Sequence, residues 1–167
     1  MTGRSVPRWP AADPGVDHAG TSFAVMSFSA EGRAVARRWA AALTATGAPV
    51  WAWHGDGATE RALAELRDRL DGATVGWRLM LAGPEADVLR ARSLAVERGA
   101  IDAEIRVYVC GTGRRRVWCA HCGGTTETEC EAGQAVACAN CGCGLLVHDH
   151  VSRRHAAYLG VLADPET

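Results

Sequence analysis

The stretch Val75-Gly-Trp-Arg-Leu79-Met-Leu-Ala-Gly83-Pro84-Glu85-Ala-Asp87, continuing through Gly99 to Ile105-Arg-Val107-Tyr-Val109-Cys110, decides the fold class of the larger part of the chain. Val75 to Ala82 is apolar almost without interruption, as a strand buried on both faces of a parallel sheet is. Pro84 suits the first position of a helix, Glu85 and Asp87 favour the positive end of its dipole, and Gly99 can end it in the left-handed conformation. Ile105, Val107 and Val109 then alternate with more polar residues, which is the pattern of an edge strand. One strand–helix–strand unit is therefore expected between residues 75 and 110.

Upstream, the same alternation repeats. Phe23 to Phe28 and Val50 to Trp53 are two further apolar runs. Between them Ser29 can cap a helix on which Val35, Trp39 and Leu43 fall four apart on one face. Thr59 can cap the next, with Leu63, Leu66 and Leu70 on one stripe and Glu65 and Arg69 spaced as an i,i+4 pair. Strands alternating with helices of similar length predict an α/β domain over residues 21–112, with a small, four-stranded, mostly parallel sheet. The turn after the first strand reads Ser27-Phe-Ser-Ala-Glu31-Gly32-Arg33, with a lone Gly where a dinucleotide fold carries three, and Glu31 there would repel a pyrophosphate. Independent dinucleotide binding is not expected on that ground. Leu79 to Pro84, with its helix, Gly99 and the strand through Val107, is similar to the last strand–helix–strand unit of the ferredoxin reductase nicotinamide-binding domain. Ala82 stands where that family has Cys before Gly-Pro. The resemblance implies a ferredoxin-reductase-like half domain whose cofactor function has been lost.

Residues 1–20 hold Gly3, Pro7, Pro10, Pro14, Gly15 and Gly20 with few bulky apolar residues, and read as an N-terminal arm that orders only against a partner. After Cys110 the composition shifts to Gly, Thr, Cys and Arg, so a second module is expected over residues 113–167, ending in an Arg-rich tail. Its strongest feature is Cys119-Ala-His-Cys122 and Cys138-Ala-Asn-Cys141, two Cys-x-x-Cys pairs with fifteen residues between them. That spacing fits a four-cysteine metal site: each pair makes a turn that aims two thiolates at one point, and a metal joins the turns in a zinc ribbon. Gly123, Gly124 and Gly142 follow the pairs, where backbone N–H groups commonly turn back toward the sulfurs. Zinc would make the site structural, whereas iron on the same sulfurs would make it a rubredoxin-like electron carrier. Cys143 could replace Cys141 as a ligand, while Cys110 and Cys130 read as non-catalytic thiols. His121 lies between ligands and is expected to face solvent. His148, Asp149 and His150 form a polar strand exit suited to partner contact, with a second metal site or acid/base group as the other readings. Arg114, Arg115, Arg116, Arg153 and Arg154 cluster around the metal module and are candidate intersubunit contacts, because Arg forks pair with carboxylates.

The bulk properties narrow the function. With 167 residues and 17.7 kDa there is room for one domain and an appended module. A net charge of -1 removes the general argument for a nucleic-acid partner, and no run approaches the roughly 18 apolar residues of a spanning helix. All 18 basic residues are Arg, so lysine Schiff-base chemistry and a P-loop lysine are impossible. Seven Cys, an odd number, without a signal-peptide core, point to a reducing, cytoplasmic setting.

The C-terminal stretch from Val117-Trp-Cys119 through Cys138-Ala-Asn-Cys141 to Asp149-His-Val-Ser152-Arg153-Arg154-His-Ala-Ala-Tyr158-Leu-Gly160-Val161 resembles the small, zinc-ribbon-containing (gamma-type) subunit of bacterial dimethylamine monooxygenase. The match covers roughly residues 75–165. Val151 and His155 replace bulkier apolar residues of the family pattern. The resemblance implies a multicomponent NADPH-dependent system that uses O2 to convert dimethylamine to methylamine and formaldehyde. It implies two partners, a haem-binding oxygenase subunit and a reductase subunit carrying FMN and a 2Fe-2S cluster. This chain is then a non-catalytic assembly subunit with Cys119, Cys122, Cys138 and Cys141 on one zinc, and with Tyr158 among its partner contacts.

Overall fold

In a computed structural model, which describes residues 6–111 and 113–163, the chain forms two units, one of Trp9–Gly111 and one of residues 6–8 with 113–163. The first is a four-stranded parallel sheet with strand order β2-β1-β3-β4: β1 is Ser22–Ser27, β2 Val50–His54, β3 Trp77–Gly83 and β4 Ile105–Val109. The apolar runs of the sequence are these strands almost to the residue, and β4 is an edge as its alternation predicts. Val75 is the exception. It is 99% exposed, in the turn before β3, which starts only at Trp77.

The helices α1 (Ala30–Ala45), α2 (Glu60–Asp71) and α3 (Glu85–Glu97) cover both faces of the sheet. Val35, Ala36, Trp39 and Leu43 of α1 pack with Phe23, Val25, Met80 and Ala82 on one face. Leu63, Leu66 and Leu70 of α2 and Val88, Ala91 and Ala95 of α3 pack with Ala24, Met26, Leu79 and Leu81 on the other. Alternate residues of β1 and β3 thus enter different cores, which is why both strands had to be apolar throughout. The first two helices have the caps expected, while Pro84 is the N-cap of α3, which begins at Glu85. Ser29 Oγ accepts from the Gly32 amide at 3.0 Å and Thr59 Oγ1 from Ala62 at 3.3 Å. Arg69 of α2 lies over the Trp51 ring at 5.1 Å, a cation–π contact with the edge strand.

Residues 9–17 do not behave as the arm the composition suggested. Trp9 Nε1 donates to Glu85 at 2.6 Å, and Trp39 Nε1 donates to Asp13 at 2.8 Å. Arg106 donates to the carbonyls of Pro14, Gly15 and Val16, and Arg78 pairs with Asp17 at 3.3 Å. The segment is strapped to the α/β unit through contacts between residues 26 to 92 positions apart in sequence, contacts that a local reading of Pro and Gly content cannot register.

The second unit is a five-stranded sheet of order β6-β5-β9-β8-β7, with β5 Arg115–Cys119, β6 Thr125–Thr128, β7 Ala135–Ala137, β8 Gly144–Ser152 and β9 Ala157–Leu162. Only the β5–β9 pair is parallel. Val117, Leu145, Val147, Val151 and Tyr158 form its small core. The stretch expected to be an Arg-rich tail instead holds the β8–β9 turn, with Arg153 and Arg154, and then β9, the central strand of the sheet. Gly160 carries no side chain there because a Cβ would stand 2.7 Å from Val117 and 3.1 Å from the Trp118 carbonyl.

Candidate metal centre

Two loops of one design bring the four predicted thiols together. In the first, the Cys119 carbonyl accepts from the Gly123 amide at 2.9 Å, and the Cys119 amide donates to the Gly124 carbonyl at 2.8 Å. In the second, the Cys138 carbonyl accepts from Gly142 at 2.9 Å and the Cys138 amide donates to Cys143 at 2.8 Å. Gly123 and Gly142 have φ of 74° and 75°, the left-handed conformation that lets each loop turn back on itself after its second cysteine. The loops lie against each other: Thr126 Oγ1, from β6 beside the first, accepts from the Ala139 amide of the second at 2.9 Å.

All four sulfurs lie within 4.8 Å of one another. Cys119 Sγ is 3.9 Å from Cys141 Sγ, and Cys122 Sγ is 3.6 Å from Cys138 Sγ. A tetrahedron with metal–sulfur bonds of about 2.3 Å has edges of about 3.8 Å, so the spacing is that of a metal-thiolate tetrahedron and far from the roughly 2.05 Å of a disulfide. Cys119 and Cys138 are buried, while Cys122 and Cys141 are half-buried.

The electrostatics point the same way. Backbone N–H groups of Cys141 and Asn140 pull the Cys138 thiol down to about 6. The Asn140 side chain, then the Gly124 amide at 3.4 Å, lower Cys122. Cys141 goes the other way. The Cys143 amide favours its thiolate, but burial and the thiols of Cys122, Cys138 and Cys143 push it up to about 12. Four thiolates cannot share this volume without a cation, and a divalent one supplies the charge that lets Cys141 ionise. The donor set fits zinc or iron.

The remaining predicted residues fall in different places. Cys130 sits between β6 and β7 with its thiol directed at the Ala135 carbonyl, outside the cluster, and Cys110 belongs to the α/β unit. Arg114 pairs with Glu127 at 3.4 Å. Arg115 reaches the Cys130 carbonyl and lies over the Tyr158 ring at 5.9 Å. Tyr158 is only 4% exposed, so it belongs to the core of the second unit and not to its surface. Arg116 is half-buried in β5. His148, Asp149 and His150 are all exposed, because β8 bulges between Val147, which pairs with Gly160, and Val151, which pairs with Tyr158. Strict alternation would have put Asp149 on the face opposite the two histidines; the bulge breaks it. Arg153 and Arg154 are exposed in the β8–β9 turn, where Ala156 adopts a φ of 48° and His155 stacks on Trp118 at 4.3 Å.

In the α/β unit the sheet order reverses between β1 and β3, and a nucleotide in such a fold binds beyond the carboxyl ends of those strands. At that end β1 and α1 pack closely against β3. Phe28, fully buried, donates its amide to the Ala82 carbonyl, and α1 sits so close that a Cβ on Gly32 would stand 2.5 Å from that carbonyl oxygen. Buried Glu85 and Asp87 take up the start of α3, receiving the Trp9 indole and the Ala58 amide. The sequence named these two acids only as dipole partners. An open groove of about 450 Å3 lined by Trp51, Arg69 and Trp77 lies at the opposite, amino ends of the strands.

Comparison with known proteins returns to the cysteine module. Residues 116–161 match the family model described as dimethylamine monooxygenase subunit DmmA-like, C-terminal domain. The chain is 41% identical over 101 residues to the heme-dependent oxidative N-demethylase delta subunit of Ectopseudomonas mendocina (strain ymp). That alignment takes in 60% of this chain and 57% of the relative's length. No solved structure matches the chain. Residues 116–161 span β5 to β9 and all four clustered cysteines, and over them the resemblance to a DmmA-like subunit is borne out.

Proposed function

We propose that this chain is a non-catalytic accessory subunit of a multicomponent, NADPH-dependent oxidative N-demethylase whose substrate is dimethylamine. In that reaction dimethylamine, O2, NADPH and a proton give methylamine, formaldehyde, NADP+ and water. The redox groups belong to partners, haem on an oxygenase subunit and FMN with a 2Fe-2S cluster on a reductase subunit, while this chain holds one zinc on Cys119, Cys122, Cys138 and Cys141. The observation that carries the reading is that the family match falls on the four-thiol module. Exposed Arg153 and Arg154, with the bulged His148–His150, are the contact residues toward partner carboxylates. Cytoplasmic residence is part of the same proposal; among the described residues no helix is long and apolar enough to cross a membrane.

The test is co-expression with the haem and reductase subunits, followed by size-exclusion chromatography. Charge reversal at both positions, R153E with R154E, should release the chain from the complex while leaving its metal content unchanged. Unchanged co-elution would remove the contact assignment. A second reading, iron on the same sulfurs acting as an electron carrier, draws on the amide-to-sulfur bonds at Cys122 and Cys138, which also stabilise a redox iron site. A visible spectrum decides between them: thiolate-to-iron charge transfer and a reversible one-electron couple for iron, no colour for zinc.

A further inference from the structure

The two cysteine loops are near-copies, and their differences fall in one place. Aligned on their shared hydrogen bonds, Cys119-Ala-His121-Cys122-Gly123-Gly124 corresponds to Cys138-Ala-Asn140-Cys141-Gly142-Cys143. In each loop the third residue reaches across to the other loop. Asn140 lies against Gly124, where a Cβ would come within 2.9 Å of its own, and its side chain hydrogen-bonds the Cys122 thiol. By the same crossing His121 Nδ1 comes to 3.8 Å from Cys143 Sγ. On the Asn140 side the result is an ordinary hydrogen bond to a ligand sulfur. On the His121 side three metal-binding atoms, His121 Nδ1, Cys141 Sγ and Cys143 Sγ, all lie within 4.8 Å of one another.

We infer that His121, Cys141 and Cys143 form a second metal site, sharing the Cys141 sulfur as a bridge with the four-cysteine site. A tetrahedral ion with one bond of about 2.3 Å to sulfur and one of about 2.0–2.1 Å to imidazole nitrogen separates those two atoms by about 3.6 Å, close to the distance present. A thiolate sulfur keeps lone pairs after binding one metal, so Cys141 can hold both. The ligand class is a borderline divalent ion such as zinc. His121 is exposed and Cys141 and Cys143 only half-buried, so three protein ligands leave a fourth position open to water or to a side chain of a partner. The site rests on the reading that the four cysteines hold a metal, and it goes beyond it: no part of a closed structural site requires His121 or Cys143.

The experiment uses the full chain stripped of metal under reducing conditions and titrated with Co2+, followed by thiolate charge-transfer and d–d absorption, with zinc content measured separately after reloading and desalting. Two equivalents are expected per chain, the second released first by a mild chelator. H121N and C143S should each bind a single equivalent and keep the spectrum of the first site, whereas C119S should disturb that first site. One equivalent in the wild type, unchanged in both variants, overturns the second site and leaves the first intact. Two equivalents that persist in both variants also overturn it, by placing the second ion elsewhere. No tight binding at all overturns the four-cysteine reading itself.

Discussion

Asp13 is the residue on which the N-terminal strap turns. Its Oδ1 accepts from the Trp39 indole at 2.8 Å and from the Gly15 amide at 2.9 Å, and its Oδ2 pairs with Arg38 at 3.0 Å. Trp39 is 2% exposed, so D13A strands its N–H away from water at a cost of about 1–3 kcal/mol. The half-exposed Gly15 bond adds about 0.5–1 kcal/mol, and the Arg38 pair, with the arginine 62% exposed, adds between zero and about 1 kcal/mol. The expected loss is roughly 1.5–5 kcal/mol, which for a unit of about 100 residues lowers Tm by on the order of 6–40 °C. Five of the six tryptophans, at 9, 39, 51, 53 and 77, lie in this unit, so intrinsic fluorescence during urea or thermal unfolding reads it selectively.

Two companions isolate the cause. D13N keeps an oxygen that can accept from Trp39 and should lose less than D13A. In a W39F background no indole is left to strand, and D13A should cost only what the Gly15 and Arg38 contacts supply, about 0.5–2 kcal/mol, the difference being the coupling of the pair. The pH dependence has a definite sign. Burial opposes ionisation of Asp13, but the Gly15 amide, Trp39 and Arg38 outweigh it and hold the carboxyl below its ordinary value of 3.8. The stabilisation is therefore complete above the unfolded pKa and disappears as pH falls through the folded one, so wild type and D13N should converge in acid. A D13A loss below about 0.5 kcal/mol, or the same loss in the W39F background, would refute the idea that residues 9–17 belong to the α/β unit.

If the four cysteines hold structural zinc, as proposed, its removal should unfold the second unit and spare the other, because such a metal contributes on the order of 10–16 kcal/mol to modules of this kind; hydrogen exchange of β5, β8 and β9 that is indifferent to a strong chelator would contradict this. Cys110, which burial and then Glu31 push up to about 11, should resist iodoacetamide at pH 8 in the native protein and react only after denaturation, as mass spectrometry of the alkylated peptides can check. His54, whose Nδ1 lies 2.8 Å from the Ser27 hydroxyl, is held below its usual 6.5 by burial and by Arg37 and Arg33. Its NMR titration midpoint should fall below that value. Since the unfolded chain then takes up a proton that the folded one refuses, this histidine should cost stability as pH drops through 6.5, a dependence that H54Q should flatten.

The α/β unit was legible in the sequence because its signals are local. A strand buried on both faces must be apolar throughout, a cap must carry a hydroxyl at a fixed offset, and Trp39 and Leu43 share a face by helix geometry alone. The cysteine quartet was legible for a similar reason, since two residues between thiols fix the turn and the turn fixes where the sulfurs point. Tertiary structure decided what depends on approach between distant segments. The strap of residues 9–17 looks featureless until Trp39, Arg78 and Arg106 arrive to hold it. Tyr158, Arg114 and Arg115 look like surface contacts until β9 takes the centre of the second sheet. The bulge after Val147 removes an alternation that the sequence by itself would enforce. His121 and Cys143 lie 22 positions apart, and only the crossing of two loops brings imidazole and thiol within 3.8 Å. Spacing along the chain specifies a turn; whether two turns face each other depends on the packing that surrounds them.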